Sequence, residues 1–138
     1  MSDAGTRSSH LPLHKRYGQV LDLYCIALSV VMMLFGLRQW AIIMGLFPAG
    51  GTSFETMSTA WKIMTMHFAV VDLVAAVGLW MRVSWGKVVW IYAAFSEIVV
   101  HTAFMGTFGS DIPKVIFHVI TLVVFLALTV LDRRSGNG

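Results

Sequence analysis

Six ionisable residues lie inside the long apolar stretches of this chain, where charge is otherwise rare. They are Arg38, His67, Asp72, Glu97, His101 and His118. Within a membrane span such a residue costs several kcal/mol, so it usually faces the bundle interior and serves a function. Three imidazoles and a carboxylate could hold zinc, iron or copper, and two histidines on facing helices could ligate a haem. Carboxylates and histidines in series could instead relay protons.

The same six residues could also serve packing alone. Hydrogen bonds between polar side chains of neighbouring helices fix the packing of membrane bundles, at about 0.6–2 kcal/mol per pair. The residue types leave three alternatives open: helix packing, a bound metal or haem, and a path for protons or ions. We therefore treat the six as a candidate intramembrane polar cluster whose cofactor, if it has one, is unknown.

The spacing of these residues predicts two tiers. Asp72 and Glu97 lie nearly the same number of residues before and after a turn at Ser84, so both are predicted near the middle of the membrane. The second tier, nearer the outer face, consists of His67, His101 and His118. Arg38 either joins this outer tier or extends its long side chain to the membrane interface.

The helical period limits which residues can meet. Glu97 and His101 are four residues apart and share a helix face, whereas His67 and Asp72 point about 140° apart. We expect the Glu97 face to meet His118 from the last span. Asp72 is the residue expected to be left out, turned towards the first span or towards a partner subunit.

The composition and the apolar stretches predict the elements that position these residues. Hydrophobic residues make up 57% of the 138 residues and charged residues only 12%. A chain of this composition has too few polar residues to cover a water-facing surface of ordinary size. A membrane-spanning helix needs about 20 apolar residues, and backbone groups in lipid must be hydrogen-bonded within the helix. Four stretches meet this need, at about 19–43, 58–82, 87–108 and 113–132.

The predicted fold class is therefore all-α, an integral membrane four-helix bundle. The helical domain covers residues 17–132, between a disordered cytoplasmic tail at 1–16 and a second cytoplasmic tail at 133–138. Short turns make the last three spans antiparallel neighbours, whereas the longer loop after the first span leaves its position open.

The distribution of basic residues predicts the orientation. Seven of the ten Lys and Arg residues fall on one side of the predicted spans: Arg7, Lys15, Arg16, Arg82, Lys87, Arg133 and Arg134. The other three, Arg38, Lys62 and Lys114, fall on the opposite side. Cytoplasmic loops carry the excess of positive charge, so both termini are predicted to lie in the cytoplasm. No Lys/Arg run or basic face indicates nucleic acid, and the predicted partners are membrane lipid and a membrane protein.

Two adjacent stretches resemble a known family: FETMSTAWKIMTMHFAVVDLVAAVGLW (54–80) and WGKVVWIYAAFSE (85–97). They are similar to small four-span inner-membrane proteins of alpha-proteobacteria that are grouped as a domain of unknown function. More loosely, the chain resembles the DoxX-like four-span proteins, which include accessory subunits of quinone and thiol redox systems. The resemblance covers about 17–133 and implies a four-span fold and a bacterial inner-membrane location, without implying a reaction.

No catalytic motif accompanies these features. The sequence has no G-x-S-x-G, HExxH, phosphate-binding loop or dinucleotide fingerprint, and its single cysteine, Cys25, excludes a disulfide within the chain. The sequence thus favours an accessory or scaffold subunit that binds another membrane protein or itself, and it does not indicate an enzyme. The alternatives are a haem- or metal-binding redox subunit that uses the six polar residues, and a small dimeric proton-coupled transporter.

Overall fold

The computed structural model describes residues 13–47, 53–108 and 111–136. Four long helices account for most of these residues: α1 Leu13–Ile43, α2 Thr59–Trp80, α3 Ser84–Ala103 and α4 Ile112–Gly136. A 3-10 turn at Phe54–Thr56 precedes α2, and one helical turn at Met105–Phe108 follows α3. The described residues contain no strand, which confirms the predicted all-α fold.

The four helices form a closed antiparallel bundle. α1 packs most extensively against α2, α2 packs against α3, and α4 contacts both α3 and α1. The first helix, whose position the sequence left open, therefore lies between α2 and α4. We call the end that holds Lys15 and Arg133 the terminal end, and the end that holds Ile43 and Asp111 the loop end. At the terminal end an ion pair of 3.6 Å joins Arg82 to Asp22 of α1.

Three helices of the described chain are long and apolar enough to cross a membrane, over Lys15–Ile43, Thr59–Trp80 and Ile112–Ser135. The chain is therefore a membrane protein. α3 is not among the three, because Lys87, Glu97 and His101 reduce its mean hydropathy. It also ends at Ala103, whereas the sequence predicted an uninterrupted span over 87–108.

The helix ends extend beyond the predicted helical domain. α1 begins at Leu13, so residues 13–16 of the predicted disordered tail are helical. α4 continues to Gly136, which includes the first part of the predicted tail at 133–138. The rest of the N-terminal tail, residues 1–12 with Arg7, lies outside the described residues.

Small side chains bring α2 and α3 close together in the terminal half of the bundle. An apolar plug fills this half; it consists of Cys25, Leu28, Met32, Ala75, Ala76, Leu79, Trp90 and Ala93. Near its edge Gly78 of α2 touches Gly86 of α3, where an added Cβ on Gly78 would lie 2.5 Å from the Gly86 Cα. Only glycine permits backbones to approach this closely. The plug separates the polar residues of the loop half from the terminal end.

Candidate functional site

A buried hydrogen-bonded pair, His118 and Glu97, between α3 and α4 is the centre of the candidate site. His118 Nε2 lies 2.8 Å from Glu97 Oε2, and the two residues are 0% and 1% exposed. A carboxylate oxygen only accepts hydrogen bonds, so the imidazole Nε2–H is the donor. The structure thus brings together two residues that the sequence placed on facing helices.

Lys114 is the second partner of the Glu97 carboxylate and approaches it from the loop end. Its Nζ lies 2.7 Å from Glu97 Oε1, over the rings of Phe35 and Phe68 at 5.3 and 5.6 Å from their centres. The aromatic faces and the carboxylate together stabilise the ammonium group. Sequence reasoning assigned Lys114 only to the loop charges. The signal that could have found it is its position one turn before His118, on the same face of α4.

Asp72, which was expected to turn towards the first span or a partner subunit, lies inside the bundle. It is 0% exposed, and neither carboxylate oxygen has a hydrogen-bond partner among the described residues. The charged groups that act on it electrostatically are Glu97 and Lys114. Asp72 faces inwards because it shares its helix face with small buried residues of α2, including Ala69 and Ala76.

His67 points outwards, away from the bundle interior that Asp72 faces. Its Nε2 lies 3.4 Å from the hydroxyl of Tyr92 on the outer surface of α2 and α3. His101 is also separate from the Glu97 carboxylate, since its Nδ1 lies 2.9 Å from the Glu97 backbone carbonyl oxygen. The predicted tier of three histidines is therefore not assembled: one is outside, one bonds its own helix, and His118 is inside.

The described residues accordingly contain no group of three or more His, Cys, Asp or Glu side chains that could hold a metal ion. The haem alternative required two histidines at one level across the interior, and His118 alone occupies that interior. The donor set that the sequence proposed for a metal or a haem does not fit this arrangement.

A pocket of about 290 Å³ opens at the loop end, above the Glu97 site. Its lining consists of Phe35, Arg38, Gln39, Asp111, Pro113, Lys114 and Phe117. Arg38 is exposed and lines this pocket. Lys114 is shared, since it lines the pocket and contacts Glu97. Lys114 therefore connects the lining of the pocket with the buried carboxylate of Glu97.

Comparison with known proteins gives a family without an activity. A family described as a family of unknown function (DUF6163) has a model that matches residues 19–135. No curated protein and no solved structure matches the chain. The matched range includes all four helices almost completely, as well as every residue of the candidate site.

Proposed function

The chain belongs to this family of unknown function, DUF6163, and we propose that it is a non-enzymatic accessory subunit of the bacterial inner membrane. It crosses the membrane four times, with both termini in the cytoplasm, and it associates with a second copy of itself through α2 and α3. The observation that carries the proposal is a polar pair, His67 and Tyr92, on the surface that faces lipid.

The bundle geometry supports four spans. α3 begins and ends at the levels of its neighbours because short connections join it to α2 and α4, and its 20 residues are the length that a membrane core of about 30 Å requires. The described basic residues support the orientation. The terminal end carries Lys15, Arg16, Arg82, Lys87, Arg133 and Arg134.

The orientation can be tested by thiol labelling in whole cells. We expect a membrane-impermeant maleimide to modify a cysteine at Glu55, at the loop end, and to leave a cysteine at Arg134 unmodified until the membrane is permeabilised. The native Cys25 is buried and serves as the unreactive background. The reverse labelling pattern would show that the orientation is wrong.

The polar pair lies midway along the outer surface of the bundle. Tyr92 is 53% exposed, and its exposed neighbours on this surface include the apolar residues Val70, Val88 and Phe95. Lipid tails offer no hydrogen bonds, so polar groups that face them are better satisfied by another protein. This surface, which we call the α2–α3 face, is therefore the best candidate for a contact within the membrane.

The hydrogen-bonding capacity of the pair favours a second copy as the occupant. If the Tyr92 hydroxyl donates to His67 Nε2, the His67 Nδ1–H remains a donor and the Tyr92 oxygen remains an acceptor. A two-fold axis along the membrane normal places the same face of two copies together. Nδ1–H of each copy can then donate to the Tyr92 oxygen of the other, which satisfies all four side chains.

Oxidative cross-linking in native membranes tests this contact. Phe95→Cys places a thiol on the α2–α3 face, and Leu126→Cys is the matched control on the lipid-facing side of α4, with 63% and 64% exposure respectively. We expect a disulfide-linked dimer for Phe95→Cys only, and less of it when Tyr92→Phe is added. Equal cross-linking of the two variants, or a product that contains only another protein, would refute the second copy as the occupant.

A further inference from the structure

We propose that Asp72, together with the Glu97–His118 pair, forms a proton-binding site inside the membrane that exchanges protons with water only at the loop end. Proton binding forms one O–H bond on the Asp72 carboxylate, and release breaks it, with no change of oxidation state. The inference is independent of the contact between copies, because every group involved faces the bundle interior.

The balance of buried charge supports a proton at this place. Glu97 has two partners, the Lys114 ammonium at 2.7 Å and the His118 imidazole at 2.8 Å. Asp72 has no hydrogen-bond partner among the described residues. An ionised carboxylate in such an environment costs several kcal/mol, and a bound proton removes that charge.

The unsatisfied atoms distinguish this site from a network that serves packing alone. A structural polar network pairs its members, because every unpaired buried group carries its full desolvation cost. Here both oxygens of Asp72 and the Nδ1 of His118 are buried without a hydrogen bond within the described residues. These atoms offer an incoming proton two acceptor groups, the Asp72 carboxylate and the His118 imidazole.

Each helix packed around Asp72 contributes a defined set of charges. α3 contributes Glu97, and α4 contributes Lys114 and His118. The basic residue of α1 at this end, Arg38, lines the loop-end pocket together with Lys114. Protonation of Asp72 is therefore coupled mainly to the state of the Glu97 group.

Access to the site is one-sided. At the loop end the pocket reaches Lys114, whose Nζ is in direct contact with Glu97. Towards the terminal end the apolar plug closes the bundle, with Trp90 and Met32 fully buried across its centre. A proton therefore has a polar route on one side and a dry barrier on the other.

Infrared spectroscopy of the full-length protein in nanodiscs tests proton binding directly. At neutral pH we expect one protonated carboxylic-acid C=O band that shifts when aspartate is labelled with ¹³C at its carboxyl carbon. The band should be absent in Asp72→Asn and retained in Asp22→Asn, the control for a surface aspartate at the terminal end. If Asp72→Asn does not fold, the labelling result in the wild-type protein decides by itself. Absence of the band at neutral pH, or a band that does not respond to labelled aspartate, would overturn the proposal.

The route of exchange is tested by the rate at which this band shifts after transfer to D₂O. Phe117→Ala removes a pocket-lining ring, and Phe125→Ala removes a ring of the same helix that packs on Trp90 at 5.2 Å between ring centres. We expect Phe117→Ala to accelerate exchange about tenfold, as an access barrier lower by 1.4 kcal/mol would, and Phe125→Ala to have little effect. Greater acceleration by Phe125→Ala would show that protons enter through the plug.

Discussion

Gly86→Ala tests the closest helix contact in the bundle, which sets the spacing of α2 and α3 around the candidate site. An added methyl group would lie 2.6 Å from the Gly78 Cα and would overlap the Gly78 carbonyl group. The obstacle is backbone, which has no alternative rotamer, so the two helices must separate. Overpacking of this kind costs about 1–3 kcal/mol or more, and the higher helix propensity of alanine offsets about 0.5–1 kcal/mol. We expect a net loss of about 2 kcal/mol, which lowers the folding equilibrium constant about 30-fold.

The assay is unfolding in mixed micelles at increasing SDS fraction, followed by tryptophan fluorescence. Gly18→Ala is the matched control, because its added methyl group would meet only the Asp132 Oδ1 at 3.8 Å, an ordinary contact. We expect this control to be as stable as the wild-type protein or slightly more stable. If Gly86→Ala unfolded at the same SDS fraction as Gly18→Ala, the close packing of α2 and α3 would be wrong.

Three further predictions concern the interior. Lys114→Met should destabilise the bundle by about 3–5 kcal/mol because it leaves Glu97 without its cation. The double variant Lys114→Met, Glu97→Gln should recover much of this loss in the same unfolding assay. Additive losses from the two substitutions would refute the ion pair between Lys114 and Glu97. Tyr24→Phe removes a hydroxyl that donates to the Thr121 carbonyl oxygen at 2.6 Å, and should lower the free energy of unfolding by about 1 kcal/mol. An unchanged SDS midpoint of unfolding would contradict this prediction. The purified protein should show no Soret band and no stoichiometric metal by elemental analysis, since the proposed donor set is not assembled; either signal would reopen the cofactor alternative.

Hydropathy and helical period predict much of the architecture. The apolar stretches predict the all-α fold, because lipid permits few other backbone structures. The helix face that Glu97 shares with His101 was expected to meet His118, and the structure brings Glu97 and His118 to 2.8 Å although the depth comparison put them in different tiers. Both inferences rest on general properties of helices in lipid, namely backbone hydrogen bonding within the helix and the angle between side chains that are four residues apart.

Other positions depend on packing that a charge count does not include. Lys114 was counted with the loop residues, yet its long apolar stem reaches inwards and places the ammonium group beside Glu97. The angle between His67 and Asp72 showed that the two side chains cannot face the same point, and Asp72 was expected to be the one left out. The small residues three and four positions from Asp72, Ala69, Ala75 and Ala76, form the buried face of α2 and indicated that Asp72 faces inwards.

The two proposals explain why α3, alone of the four long helices in the described chain, is not apolar enough to count as a candidate membrane span. Its inner face carries Glu97, which is held by α4, and its outer face carries Tyr92, which bonds α2. A helix that meets lipid on one side needs an apolar surface there, whereas a helix enclosed by protein on both sides does not. A contact between copies on the α2–α3 face would enclose α3 in this way. Substitution of Tyr92 by Phe should then weaken the contact between copies and leave the aspartate band of the interior unchanged, so that the two roles of α3 can be separated by experiment.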